Sequence, residues 1–329
     1  MQVNQIFETF NDLKIVVIGD VMIDSYIRGS VTRISPEAPV PIISLSKKED
    51  RLGGAANVAI NLVALGVKAE IISVIGDDDS SKILKNLLVE SNIKSDKLVA
   101  SSTRTTTIKT RVIGNNQHLL RVDNEQTNDI TAQEENQLIL AAKARIDDGI
   151  DAVIFEDYNK GILTTKVIDQ ITNYANEKGV IIAVDPKKLN FLAYKNVTLF
   201  KPNLKELKEG LGKAFDFSDF DLFEEAVEEL ERLIKPQISF VTLSEHGVYV
   251  KKGKDKKLIS AHLRKISDVS GAGDTVIAVA TTCLAAGMEP VEMARIANLA
   301  GGLVCELSGV VAIDKMELLD EALKLKNGI

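Results

Sequence analysis

The feature that most constrains this chain is a series of short, almost uninterrupted apolar runs separated by helix-length stretches. Lys14 to Gly19, Ala69 to Ile75, Ala152 to Phe155, Val180 to Val184, Thr198 to Phe200 and Ile238 to Leu243 all have this character. A strand that alternates apolar with polar residues buries one face. A strand that is apolar throughout is covered on both, as in a parallel sheet with helices on each side. Helix patterns fall between the runs, at Arg51 to Gly66, Ser80 to Ser91, Asp216 to Ile234 and Pro290 to Leu307. The sequence therefore predicts a doubly wound, Rossmann-like α/β fold with a mostly parallel sheet flanked by helices. Ligands of such sheets sit at the carboxyl ends of the strands, so the residues just past each run matter most.

Two segments break the βα rhythm. Tyr26 to Ser46 is β-like but interrupted by Pro36, Pro39 and Pro41, which fits an edge or a separate small sheet and no central strand. Thr103 to Val122 is rich in Thr, Ile and Val around Gly114-Asn115-Asn116 and reads as a β-hairpin. Lys109 and Arg111, two apart, share a face of that hairpin. The two segments are expected to form one antiparallel sheet, inserted at about 26–46 and 103–122 into a single domain over 1–329, since no Pro/Gly/Ser-rich linker divides the chain.

Composition removes several classes of function. A net charge of −7 with scattered lysines argues against a nucleic-acid surface. No run reaches the roughly eighteen apolar residues of a membrane span. Met1 to Asn11 is polar and lacks the apolar core of a signal peptide, so a cytoplasmic location is expected. Cys283 and Cys305 lie in apolar helical surroundings and read as buried free thiols. Three histidines without a Cys/His cluster do not suggest zinc, and His246 has no partner in sequence that would make it a base. Neither Gly-x-Gly-x-x-Gly nor Gly-x-x-x-x-Gly-Lys-Ser/Thr occurs, which weakens a nicotinamide oxidoreductase or P-loop reading.

The stretch with the most chemistry is Asp268-Val269-Ser270-Gly271-Ala272-Gly273-Asp274-Thr275, followed by an apolar helical run. Gly271 and Gly273 let the backbone approach a ligand, and the turn enters a helix whose unpaired N–H groups favour an anion. Asp274 in that position either caps the helix or acts as a general base on an attacking hydroxyl.

Asp-x-x-Gly-Ala-Gly-Asp late in the chain, with Gly53-Gly54-Ala55-Ala56-Asn57 early, resembles the ribokinase-like (PfkB) sugar kinases over essentially the full length. Arg33-Ile34-Ser35-Pro36-Glu37-Ala38-Pro39-Val40-Pro41 further resembles the bacterial D-glycero-D-manno-heptose 7-phosphate kinases. Some of those are fused to a nucleotidyltransferase; 329 residues are expected to hold the kinase alone. The resemblance implies phosphoryl transfer from Mg-ATP to the C1 hydroxyl of heptose 7-phosphate, with Asp274 as base and Gly271, Ala272 and Gly273 as anion hole. It implies that the small sheet is a lid that covers the sugar and builds a homodimer. Other sugars on the same scaffold, such as ribose or fructose, and a non-catalytic nucleotide- or sugar-binding regulator are the alternatives.

Site candidates follow from position and resemblance together. Asp20 and Asp24, past the first strand, suit sugar hydroxyls or turn-capping, and the resemblance implies that both contact substrate. Gly53 and Gly54 allow close approach, and Asn57 offers a donor and an acceptor. Arg33, Lys109 and Arg111 are candidates for the sugar phosphate or for solvated surface. Glu156 and Lys160 follow another strand end, as substrate ligands or as a plain polar loop; Lys187 follows the next, on the nucleotide side. Asn203 and Glu206 match an Asn-x-x-Glu element that the resemblance assigns to magnesium and the ATP phosphates, although a capping box explains the same residues. Ser244, Glu245 and Gly247 resemble a nucleotide-contact loop, and Asn298 a position bordering adenine. Asp268, Ser270 and Ser308 are implied around a monovalent cation such as potassium.

Overall fold

A computed structural model describes residues 3–262 and 265–326. The strands in the first half are β1 (Lys14–Gly19), β2 (Val21–Ile34), β3 (Pro41–Gly54), β4 (Lys68–Ile72), β5 (Val74–Gly76), β6 (Val99–Ser101), β7 (Ile108–Gly114) and β8 (Gln117–Asn124). In the second half they are β9 (Ala152–Glu156), β10 (Ile181–Asp185), β11 (Leu199–Phe200), β12 (Ile238–Thr242), β13 (Val248–Lys252) and β14 (Asp255–Ile259). The main sheet has the order β14-β13-β12-β11-β10-β9-β1-β4. From β12 to β4 every pairing is parallel, and β13 and β14 close the far edge as an antiparallel hairpin. β1 shows why its sequence lacks alternation. Ile15 and Val17 enter one apolar cluster, Val16 and Ile18 the other, and all four are buried.

The small sheet has the order β3-β2-β7-β8. Its β2–β3 and β7–β8 pairings are antiparallel, but β2 and β7 run parallel, so the lid is mixed where a wholly antiparallel sheet was expected. The reason lies in chain tracing. β2 continues almost directly from β1, and β7 arrives from the same side of the molecule after the βα units between them. The lid strands are also longer than the segments read from sequence, reaching back to Val21 and on to Gly54, while 103–107 stays irregular. Asn115 and Asn116, at φ 51° and 63°, make the hairpin turn. Pro36 and Pro39 fall in the β2–β3 connection, and Pro41 opens the edge strand β3, where its missing donor costs no ladder bond.

Two other boundaries moved. The Ala69–Ile75 run divides at Ser73: β4 stays in the main sheet, and β5 leaves to pair with β6. Ser73 bridges the break by donating its Oγ to the Gly19 carbonyl at 2.6 Å. The acidic helix starts at Phe220, capped by Asp219, and not at Asp216. Cys283 and Cys305 are free and buried, as expected. Among the described residues no helix is long and apolar enough to cross a membrane.

The Ala272–Ala285 helix lies in the core, and its entry is tied to the Ala55–Ala64 helix by two amides, Asn57 and Asn61. Asn61, fully buried, accepts from Thr275 Oγ1 at 3.0 Å and Ile313 N at 3.1 Å and donates to the Asn57 carbonyl at 3.0 Å. Asn61→Ala removes three buried hydrogen bonds and leaves the Ile313 amide without its acceptor, so about 3 kcal/mol of stability is expected to be lost. Urea unfolding measures it; a loss under about 1 kcal/mol would show that this network does not hold the helix entry.

Candidate active site

Three parallel strands end in carboxylates or deliver them immediately afterwards: β1 before Asp20, β9 at Glu156 and β10 at Asp185. Lys201, one residue past β11, places its Nζ 2.8 Å from Asp185 Oδ2, and both side chains are buried. Lys187 Nζ reaches Asp185 Oδ1 at 3.2 Å and Glu206 Oε1 at 2.5 Å. Burial by itself would raise the Asp185 carboxyl, but the charges of Lys187 and Lys201 outweigh it and hold Asp185 below its ordinary value. A Cβ on Gly273 would sit 3.8 Å from Asp185 Oδ2 and 3.9 Å from Lys201 Nζ. The glycine turn therefore rests directly on this ion pair.

Gly271 is the N-cap of the Ala272–Ala285 helix, at φ 80°. A side chain there would be strained, and its Cβ would lie 3.1 Å from Asn57 Nδ2. Ala272 gives its amide to the Val269 carbonyl at 3.3 Å, so the anion-hole role expected of its N–H passes to Gly273 and Asp274, in the helix turn that has no intrahelical acceptors. Asp274 does not cap this helix. Its Oδ2 accepts from Asn57 Nδ2 at 2.6 Å and its Oδ1 from the Tyr158 hydroxyl at 3.0 Å. Burial pushes its carboxyl up to about 6, with the Asn57 bond opposing and the nearby Asp185 charge adding. An acid titrating near there is ionised at neutral pH yet basic enough to accept a proton.

Several expected contacts are placed differently. Asp20 accepts from the backbone N–H groups of Tyr158 (2.7 Å), Lys160 (3.2 Å) and Ile162 (3.4 Å). It takes the turn-capping role, anchoring the loop that carries Tyr158. Asp24 pairs with Arg111, and Gly53 packs against it so closely that a Cβ would lie 2.5 Å from Oδ2. Gly54, at φ 59°, delivers the chain into the helix that carries Asn57, which binds Asp274 in place of a free sugar position. Lys109 and Lys160 are both neutralised by Glu125, at 2.6 Å each. Arg33 is exposed and lies nine residues along β2 from Asp24, on the order of 30 Å of extended chain. The structure does not bring it to the site.

Among the residues expected on the nucleotide side, Asn203 and Glu206 form a complete capping box: Glu206 N to Asn203 Oδ1 at 2.8 Å, and Asn203 N to Glu206 Oε2 at 2.9 Å. Glu206 turns its second oxygen to Lys187, so neither side chain is an uncommitted metal ligand. Asn203 also bridges to Thr242, which sets the exposed Ser244 and Glu245 and the turn glycine Gly247 beside the capped helix. Asn298, buried, donates to the Ser260 carbonyl at 2.9 Å. Asp268 accepts from Ser270 N at 2.9 Å and Gly309 N at 3.1 Å, joining the glycine turn to the loop of Ser308.

Sequence reading missed Tyr158, Asp185 and Lys201 as participants. Each ends a buried apolar strand or follows one within two residues, which was the available signal, but only their partners distinguish them from ordinary loop residues. Glu156 stands apart. It is fully buried, neither carboxylate oxygen has a hydrogen-bond partner, and one of its oxygens lies within 4.8 Å of one oxygen each of Asp185 and Asp274. Burial first, then the charges of Asp185 and Asp274, push its carboxyl well above the ordinary value. Orphaned oxygens beside two further carboxylates are a donor set suited to a hard divalent cation, so the residues present fit such an ion better at Glu156 and Asp185 than at Asn203.

Residues 12–316 match the family described as pfkB family carbohydrate kinase. The chain is 38% identical over 307 residues to the bifunctional protein HldE of Methylobacillus flagellatus, covering 93% of this chain and 62% of that protein. It is 39% identical over 311 residues to the bifunctional protein HldE of Coxiella burnetii, covering 94% and 63%. The chain thus spans less than two thirds of the length of these relatives. Phosphofructokinase-2 from Escherichia coli in complex with potassium superimposes with a TM-score of 0.79 at 20% identity, covering 95% of this chain and 99% of that one. Arabidopsis thaliana ribokinase complexed with ribose and ATP gives 0.72 at 17%, covering 93% and 98%. At such identities the structural likeness speaks for a ribokinase-like fold and nothing finer.

Two predictions follow from the carboxylates. In wild type, kcat/KM should decline toward acid with a midpoint near the Asp274 value of about 6, since kcat/KM reports ionisations of the free enzyme. Tyr158→Phe removes a donor that favours the ionised form, so this limb should move to higher pH; an unmoved limb would separate Tyr158 from the base. For Glu156, a carboxyl protonated in the native protein and ionised in the unfolded chain makes stability fall as pH rises from its ordinary 4.5 toward the raised value. Glu156→Gln should flatten that fall in urea unfolding as pH rises above 4.5; an unchanged slope would mean that Glu156 is ionised in the fold.

Proposed function

The chain belongs to the pfkB family of carbohydrate kinases, which makes it an ATP-dependent sugar kinase, and we propose that its substrate is D-glycero-D-manno-heptose 7-phosphate, phosphorylated at the C1 hydroxyl. The observation that carries a kinase mechanism is the buried Asp274 carboxylate at the N-terminus of a core helix, beside amides that rest on Lys201 and Asp185. The choice of sugar is supported by the Arg33–Pro41 stretch and by likeness to the HldE proteins across the kinase length. The product would be heptose 1,7-bisphosphate, an early intermediate in heptose supply for lipopolysaccharide.

In this mechanism Asp274 accepts the proton of the C1 hydroxyl while Asn57 and Tyr158 fix the direction of its lone pairs. The amides of Gly273 and Asp274, the helix dipole and the Lys201 charge below them stabilise charge on the phosphoryl group in transit. Asp24 and the Gly53 backbone flank the sugar. Lys187 and the capped Asn203 helix, with Ser244, Glu245 and Gly247, receive the nucleotide. Magnesium, when bound, neutralises the phosphates; Asp185 and Glu156 would hold it. A monovalent cation would sit against the Asp268–Ser270 and Ser308 loops.

The lid also supports a homodimer. Cross-strand register puts Asp24, Tyr26 and Arg111 on one side of the lid, and Leu45, Leu120 and Val122 on the other. The last three are 63%, 59% and 50% exposed, an apolar face that a second lid would cover. Leu120→Glu should convert a dimer to monomer in sedimentation; an unchanged mass would place any dimer contact elsewhere.

Substrate choice is read from ADP release across a panel of sugars and sugar phosphates. Heptose 7-phosphate should show the highest kcat/KM, and a preference for an unphosphorylated pentose would end the heptose reading. Asp274→Asn should fold normally and lose about 10³-fold in kcat. Near-normal turnover by that variant would remove the base assignment.

A further inference from the structure

The inner face of the lid holds a charged cluster that the catalytic scheme leaves unused. Tyr26 in β2 is ringed by three guanidinium groups: Arg51 and Arg111 lie 5.3 Å from its ring centroid and Arg28 lies 5.6 Å away. Register accounts for the gathering. Arg111 is opposite Tyr26 on β7, Arg28 is two residues along β2, and Arg51 is opposite Asp24 on β3, so all point to one side of the sheet. Lys47, opposite Arg28, shares that side.

The charges do not balance. Asp24 pairs with Arg111, and Glu49 is shared by Arg51 and Lys47, at 2.7 Å each. Among the described residues Arg28 has no carboxylate partner. Hydrogen bonds from Lys47 and then Arg51 hold the Glu49 carboxyl down at about 2, so its charge is fixed at working pH. Around Tyr26 four cations therefore face two anions; farther along the same face Lys109 and Arg121 are met by Glu125 and Asp123, so the positive excess stays with the cluster. Like charges held this close repel one another, and a dianion among them reverses that. A phosphate monoester carries about −1.5 to −2 at neutral pH, with oxygens that suit the guanidinium fork.

The cluster opens toward the catalytic cleft. Arg51 Nη1 lies 3.6 Å from the point that a Cβ on Gly309 would occupy, and the Gly309 amide binds Asp268 of the catalytic turn. Arg111 holds Asp24, against which Gly53 packs.

We propose that Arg28, Arg51 and Arg111, gathered around Tyr26, form the subsite for the phosphate ester that the sugar substrate already carries. This rests on the reading of the substrate as a sugar phosphate. It moves the phosphate contact from Arg33, which is remote, and Lys109, which is neutralised, to two arginines that sequence position alone did not single out. Because Arg111 also grips Asp24, filling the subsite fixes the aspartate that faces the sugar.

The test is steady-state kinetics of the full chain with the sugar phosphate and with its dephosphorylated parent, for wild type, Arg28→Ala/Arg51→Ala and Arg28→Lys. In the double variant KM for the sugar phosphate should rise about 10²-fold, with kcat changing far less. Selectivity for the phosphorylated over the parent sugar, as the ratio of kcat/KM values, should collapse by the same factor. Arg28→Lys keeps the charge but loses the fork and should fall between; it carries the test by the same ratio if the double variant fails to fold. Inorganic phosphate should compete with the sugar phosphate in wild type and lose that effect in the double variant. A wild type that prefers the sugar phosphate, with a folded double variant whose KM is unchanged, overturns the subsite and leaves the substrate reading intact. A wild type that uses the parent sugar equally well overturns both.

Discussion

The site depends on keeping one carboxylate buried without neutralising it. Asp274 is surrounded by protein, and burial alone would favour its protonated form. Asn57 and Tyr158 each donate to it, and the helix N-terminus adds a favourable field, so the charge is tolerated but remains basic. Much of the surrounding polar architecture serves that balance. Asp20 fixes the loop bearing Tyr158 through three backbone amides. Asn61 ties the helix bearing Asn57 to Thr275, the neighbour of Asp274. Residues that look like substrate ligands in sequence thus act on Asp274 through its donors.

Below the base, charge is arranged in two layers. Asp185 is flanked by Lys187 and Lys201 and stays ionised, while Glu156, with no hydrogen-bond donor, is driven toward neutrality. The contrast comes from direct pairing, since both carboxylates end neighbouring strands in matched register. A cation arriving with a nucleotide would displace the Glu156 proton and meet oxygens already in place. Lys187 links this layer to the capped helix through Glu206, so Asp185 and the Asn203 helix share one ion-pair chain.

The lid divides its labour by face. One side gathers guanidinium groups around Tyr26 and looks into the cleft; the other is apolar and exposed. Period-two alternation gives a single thin sheet both properties. The same alternation, read along Lys109 and Arg111, suggested a basic face from sequence, but the acids that neutralise Lys109 sit on the next strand and beyond it, at Asp123 and Glu125.

By itself the sequence determined the parallel sheet, the proline-confined edge strand, the glycine turn into a core helix and the identity of the late aspartate as the residue of interest. These are local or periodic properties, legible because apolar runs, prolines and glycines restrict a backbone wherever they occur. It left open whether Asn203 and Glu206 cap a helix or hold a metal, and whether Asp20 meets sugar or backbone; it did not pick out Arg28 and Arg51, or Tyr158 and Lys201. Those outcomes depend on partners far away in the chain. Asn57 and Asp274 are separated by 217 residues and Tyr158 and Asp274 by 116. Only the tertiary fold decides such pairings, because a buried polar group takes whichever donor or charge the packing of distant elements brings within hydrogen-bond reach.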